Sequence, residues 1–314
     1  MMDLIGDYFA MSLYIIEGGF VSIFNTVVIL LILTDKNLRK NNELLFIMGL
    51  CFGDGVDATG YFNAGIVRLR NIIFNRENLE TTASSCFYTS YITLFFYGYK
   101  LPALMMVIVS IDRFIAVFAP LRHGTIKTSS RLIVMLCVFL WVFVAYCTSS
   151  YIISLNPDRS VTVQCFSDQV YGPQLWAFIV GQRSCLITIC VFIYIAIFVR
   201  TRKILKRNEG NPRNQRFNIT MILIVFSALF FLAIPDTMCF FNLFGLAEYQ
   251  MVFHIISLNK CLVNVFVYTL RQKELKNKVT TVMKKVFCCW RGHLRSHVVT
   301  TITTDVRRHY YCTS

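Results

Sequence analysis

Acidic residues are scarce in this chain. Asp and Glu together number 17 in 314 residues, and charged residues of both signs make up only 15% of the chain, where a soluble domain carries about 25%. An ordinary water-solvated surface cannot be built from that composition. The chain also lacks H-E-x-x-H, a nucleophile elbow and paired catalytic carboxylates, so nothing in it points to an enzyme, a metal centre or a bound cofactor. Residues 1–9 carry no basic group, and Asp3 and Asp7 precede the first apolar run, so no cleavable signal peptide is expected. No internal repeat relates the two halves, which argues against a transporter or channel built from duplicated units.

What is abundant is apolar sequence, 56% of the chain. It falls into runs of about 20 residues, the length a helix needs to cross a hydrocarbon core of about 30 Å. Seven such runs predict spans at 10–33, 44–67, 86–118, 132–155, 175–199, 219–244 and 252–270. They lack the dyadic alternation of barrel strands, so an all-α seven-transmembrane helix bundle is expected. The second run is the weakest, because Gly53, Asp54, Gly55 and Asp57 cluster in it.

Lys and Arg set the orientation. The loops after spans 1, 3 and 5 and the C-terminal tail hold 24 of them, against 4 on the opposite face. Basic residues are retained on the cytoplasmic side, so the N-terminus is expected outside and the tail inside. The predicted organisation is therefore a short extracellular N-terminus (1–9), the bundle (10–270), an amphipathic juxtamembrane helix (271–290) and a cytoplasmic tail (291–314). In that last helix Leu275, Val279, Val282 and Val286 recur at helical spacing among Lys273, Lys276, Lys278, Lys284 and Lys285. The net charge of +14 lies next to the membrane and matches no nucleic-acid-binding motif, so anionic inner-leaflet lipid is the expected partner and nucleic acid is not. The one Asn-x-Ser/Thr triplet, Asn218-Ile219-Thr220, falls on the cytoplasmic side, where it is not glycosylated.

Of the 12 cysteines, ten fall in spans or on the reducing side; only Cys86, at the outer end of span 3, and Cys165, in the second outer loop, face outside. A bridge between those two would pin the second outer loop over the bundle; two free thiols are the alternative. Cys288 and Cys289, directly after the amphipathic helix, are candidate palmitoylation sites.

The inner end of span 3 reads Ser110-Ile111-Asp112-Arg113-Phe114, and each other span carries one further signal. Asn25 stands in span 1, Leu50-Cys51-Phe52-Gly53-Asp54 in span 2, Trp141 in span 4, Tyr194 in span 5, Pro235 in span 6 and Asn264-Val265-Phe266-Val267-Tyr268 in span 7. Taken together and in this order, these motifs resemble the rhodopsin-like G-protein-coupled receptors. Val265 for Pro, Leu186 and Ala233 at usual Pro and Trp positions, and Lys100 and Pro102 in span 3 depart from the pattern, and the drift resembles the nematode serpentine chemoreceptors. The spacing of 27 residues between Cys86 and Arg113 is slightly long for the family.

The resemblance implies a receptor that binds an extracellular small molecule or short peptide within the bundle and activates a heterotrimeric G protein, in the plasma membrane, with the sensory cilium as a candidate address. The implied inner switch is Asp112, Arg113, Tyr194, Asn264 and Tyr268, with the basic loop 200–216 facing the G protein. Gln215 offers Arg113 no carboxylate from span 6, from which appreciable basal activity is expected. Ser296, Thr300, Thr301, Thr303 and Thr304 are candidate phosphorylation sites for arrestin, or a disordered polar end.

Depth arithmetic places Asp54 and Lys260 each about 15 Å from the inner face, with Asn25 and Asn264 within about two turns of them. These residues predict an intramembrane polar network of Asn25, Asp54 and Lys260, the Lys260 ammonium taking the place of the sodium ion that the family holds beside the equivalent Asp. Lys260 stands about half a turn from the position the resemblance assigns to the retinal lysine of opsins, which argues against retinal. Arg183 and Asp236 lie at a common depth of about 12 Å from the outer face. Around them project the pocket candidates Tyr91, Phe95, Phe96, Tyr99, Phe240 and His254; the competing reading is a structural ion pair in an aromatic core. Phe95 stands where amine receptors carry Asp, which disfavours a protonated amine. The rival function is a transporter or channel whose polar path Lys100, Arg183, Lys260, Asp54 and Asp236 would line. Epitope tags test the topology: an N-terminal tag should be reached by antibody on intact cells, and a C-terminal tag only after permeabilisation.

Overall fold

The computed structural model describes residues 2–39, 41–77, 79–206, 222–223, 225–241, 250–271 and 275–282, almost all of them helical. In chain order the helices are α1 (Met2–Thr34), α2 (Lys36–Arg39), α3 (Asn42–Ile73), α4 (Ala83–Phe87), α5 (Ser90–Phe118), α6 (Pro120–Thr125), α7 (Thr128–Ser154) and α8 (Ser167–Lys206). A π-helical turn (Leu229–Ala233), α9 (Ile234–Phe240) and α10 (Gln250–Arg271) follow. Four stretches, Gly6–Thr34, Ser90–Phe118, Thr128–Ser154 and Ser167–Arg202, are long and apolar enough to cross a membrane; Val225–Met238 and Ile255–Val267 are apolar but shorter. Their outward faces agree, since α7 alone exposes Leu132, Ile133, Leu136, Leu140, Trp141 and Phe143.

The second predicted run lies within α3, which is not among the four apolar stretches. Its polar groups belong to the centre of the bundle. α3 packs against α1 on one side and α5 on the other, and buries Glu43, Asp54, Asp57, Arg68 and Asn71. The approach to α5 depends on Gly53: a Cβ there would stand 3.1 Å from the ring of Pro102, and Gly49 one turn away faces Met105 and Met135. The Gly49/Gly53 pair therefore serves packing within the chain.

Several boundaries differ from those expected. α1 begins at Met2 rather than residue 10, so residues 2–9 continue the helix. Cys86 is not on the helix of span 3 but on the separate α4; Thr89 starts α5, and its hydroxyl donates to the Cys86 carbonyl at 2.6 Å. That inserted turn accounts for the long spacing to Arg113. α8 is broken at Gly172 (φ 73°, ψ 166°), a left-handed backbone at which a Cβ would also meet the Arg159 guanidinium, and Pro173 opens the long arm. Pro235 lies just after the π turn, where the Ile234 amide donates to the Leu229 carbonyl; the widened turn absorbs a ring that would strike the preceding turn of a regular helix.

The all-α expectation needs one amendment. β1 (Glu80–Thr82) pairs antiparallel with β2 (Ser160–Thr162), Thr81 opposite Val161, joining segments too far apart in sequence to leave a hairpin signal. The Cys86–Cys165 disulfide, with its Cα atoms 5.6 Å apart, ties the same two segments. Arg68 completes the cover, its Nε and Nη2 donating to the carbonyls of Gln164 at 2.9 Å and Cys165 at 3.1 Å. At the other end, residues 275–282 form a helix that buries Leu275 and Val279 and exposes Lys276 and Lys278. Lys278 reaches Asp35 at 2.7 Å, and that bond, aided by the amides of Asn37 and Leu38, holds the Asp35 carboxyl below its ordinary range. Cys288, Cys289 and the tail lie outside the described residues.

Because the disulfide closes a loop across a sequence separation of 79, Cys165→Ser should cost about 2–5 kcal/mol and lower the melting temperature in detergent. Replacement of the exposed free Cys185 by Ser should leave it unchanged.

Candidate functional site

Three polar layers lie along the bundle axis. The middle one is built on Asp54, whose side chain is fully buried. Lys260 Nζ on α10 lies 2.5 Å from Asp54 Oδ1, and Asn264 Nδ2, one turn along α10, donates to Oδ2 at 2.9 Å. Ser227 donates to Asn264 Oδ1 at 3.0 Å, so the segment before the π turn joins the same network. Both carboxylate oxygens are satisfied, the condition on which a buried charge is tolerated. Asn25, expected here, bonds elsewhere: its Nδ2 donates to the Val21 carbonyl at 3.0 Å, the back-bonding a helical Asn makes when no partner is in reach. Asp57, one turn above Asp54, is a second buried carboxylate in this layer, 3.9 Å from Cys261 Sγ and packed against Gly98.

The layer at the Arg113 end is more heavily paired than the sequence suggests. Asp112 Oδ2 accepts from Arg113 Nε at 3.1 Å and Nη2 at 2.5 Å, and Oδ1 accepts from Arg131 Nε at 3.0 Å. Arg131 Nη2 also lies 2.8 Å from His123 Nε2. The same Nε2 stands 3.3 Å from Asp112 Oδ2, so the imidazole packs into the cluster around that carboxylate. Arg113 has a further carboxylate, Glu43 at the start of α3, with Nη1 3.6 Å from Oε1. Gln215, which lies before span 6 and offers no such carboxylate, falls outside the described residues. Glu43 adds a counter-charge from α3. Tyr194 is buried on α8, while the Tyr268 side chain lies outside the described residues.

At the disulfide end, Arg183 Nε donates to Asp236 Oδ2 at 2.7 Å, joining α8 to α9. Its guanidinium lies 4.2 Å from the Tyr99 ring centroid. Tyr91, Phe95 and Tyr99 recur every four residues along one face of α5 and pack ring against ring, with Tyr61 on Phe95 and Trp176 on Tyr99. Phe96 does not belong with them. One residue on, it is turned about 100° around the helix and packs on Tyr146 and Tyr171 instead. The side chains of Phe240 and His254 lie outside the described residues.

Glu43, Asp57, His123, Arg131 and Ser227 do not stand out in the sequence as site residues. The polar cluster around Asp57 is the one visible signal; the others read as boundary or core residues.

A model of the family described as serpentine type 7TM GPCR chemoreceptor Srsx matches residues 19–283. Olfactory receptor 5G25 of Mus musculus is 26% identical over 200 residues, a match spanning 56% of this chain and 60% of that receptor.

Stranding the Asp54 carboxylate by Lys260→Ala should cost about 3–5 kcal/mol. Asp54→Asn in the same chain should restore part of the lost melting temperature; a strictly additive double variant would show that the two do not act as a pair.

Proposed function

The chain belongs to the Srsx family of serpentine seven-transmembrane chemoreceptors, and from that premise we propose that it binds an extracellular small molecule or short peptide inside a seven-span bundle and activates a heterotrimeric G protein. The N-terminus and the disulfide-tied ribbon face outside; the tail, the Lys-rich helix after α10 and the basic loop 200–216 face the cytosol. The excess of Lys and Arg on the loops of the Arg113 end supports this orientation. The cue sits by the Arg183–Asp236 pair and the Tyr91/Phe95/Tyr99 file, an aromatic wall with few polar anchors. Anionic inner-leaflet lipid takes the basic helix, Cys288 and Cys289 accept palmitate, and the tail binds arrestin when phosphorylated.

The observation that carries the reading is Arg113 held between Asp112 and Glu43 at the basic end. Two carboxylates keep the guanidinium closed until a ligand that prefers another bundle arrangement shifts the equilibrium. Asn264 and Ser227 extend the middle layer to the segment before the π turn, with Tyr194 and Tyr268 as the remaining switch groups. A transport path is less well supported, because Asp54, Lys260, Arg183 and Asp236 saturate one another instead of lining an aqueous route.

Nucleotide exchange on G protein in membranes, screened against volatile and water-soluble odorants, tests the proposal. An agonist should stimulate exchange, Arg113→Ala should abolish it, and basal exchange should be low. Glu43→Gln, removing a constraint of about 1 kcal/mol, should raise basal exchange about fivefold. Solute flux in proteoliposomes without G protein, and no exchange with any cue, would replace the receptor by a transporter.

A further inference from the structure

Lys100 takes no part in any of the three layers. It is 6% exposed on α5, about 15 Å along the helix from Ser90, on the face turned away from Tyr99. Among the described residues no carboxylate pairs with it. Its ammonium donates to Gln182 Oε1 at 2.6 Å and otherwise faces the rings of Phe96 and Phe178 at 5.3 and 5.4 Å. An ammonium has three donors, and a charge at this depth is costly unless compensated. Beside it opens a cavity of about 500 Å³ between α5, α7 and α8, lined by Trp141, Ala145, Ser149, Gln174 and Phe178 among others. Trp141 and Phe178 are 60% and 63% exposed on the outer surface of the bundle, so the cavity opens where lipid would lie.

We propose that this cavity is a second ligand site, for an aliphatic monocarboxylate whose head group pairs with Lys100 and whose chain lies between α7 and α8. One cation selects one anionic head and repels amines. The rest of the lining is mostly apolar, with Thr148, Ser149 and Gln174 as its polar exceptions, and selects a hydrocarbon body, as small-molecule sites with few polar anchors do. The depth of Lys100 selects a single-chain acid over a phospholipid, whose head group stays at the interface. The site is distinct from the Tyr91/Phe95/Tyr99 file and touches it through neighbours in sequence: Lys100 holds Gln182 while Tyr99 holds Arg183. It stands independently of G-protein coupling.

The test is direct binding of labelled dodecanoate to the full chain in phosphatidylcholine nanodiscs. Saturable binding is expected, with methyl dodecanoate failing to compete and affinity falling about tenfold or more in Lys100→Met. Ala145→Phe, which fills the cavity but leaves the ammonium in place, should abolish binding, and it decides the matter if Lys100→Met does not fold. Absence of saturable binding, equal competition by the methyl ester, or affinity unchanged in Ala145→Phe would overturn the proposal. Displacement by phosphatidylglycerol but not by unlabelled dodecanoate would also overturn it, assigning the cation to lipid head groups.

Discussion

The ion pair between Lys260 and Asp54 is the constraint on which the rest of the bundle depends. Neither charge is tolerable alone in a medium that cannot hydrate it, so α3 and α10, distant in sequence, must lie side by side at one height. Asn264 then completes the carboxylate's bonds and Ser227 donates to Asn264, which fixes the rotation of α10 and draws in the segment before the π turn. α3 is polar along much of its length because it is central. With α1 and α5 on its flanks, its charges meet partners instead of lipid.

The same logic, at shallower depth, operates at the Arg113 end. Asp112 is shared by Arg113 and Arg131, and Glu43 supplies a second counter-charge, so α3, α5 and α7 are joined by one cluster. A cluster spanning three helices resists their separation more than an isolated Asp-Arg neighbour pair would.

α5 separates two surroundings. Its Tyr91/Phe95/Tyr99 face meets Arg183 and the bundle interior, whereas Phe96 and Lys100 face α7 and α8. Two residues adjacent in sequence thus serve different surroundings, and Pro102 against Gly53 sets how closely the helix approaches α3.

The chain by itself determined what is local and one-dimensional: where helices run, how deep each residue lies, and which two cysteines stand at the end opposite the basic loops. A rise of 1.5 Å per residue converts sequence position to height, so counting along the chain is enough to match Asp54 with Lys260, and likewise Arg183 with Asp236. Tertiary structure alone decided azimuth and neighbours. Asn25 has the right height but bonds its own helix; Phe96 has the right depth but the wrong face; Glu43 and Arg131 look like boundary charges until three helices converge on Asp112. The β1–β2 ribbon, too, leaves no local trace, because its strands are far apart in sequence and meet only in the tertiary structure. Height is written into each helix separately, whereas lateral contact depends on how the helices rotate and pack against one another.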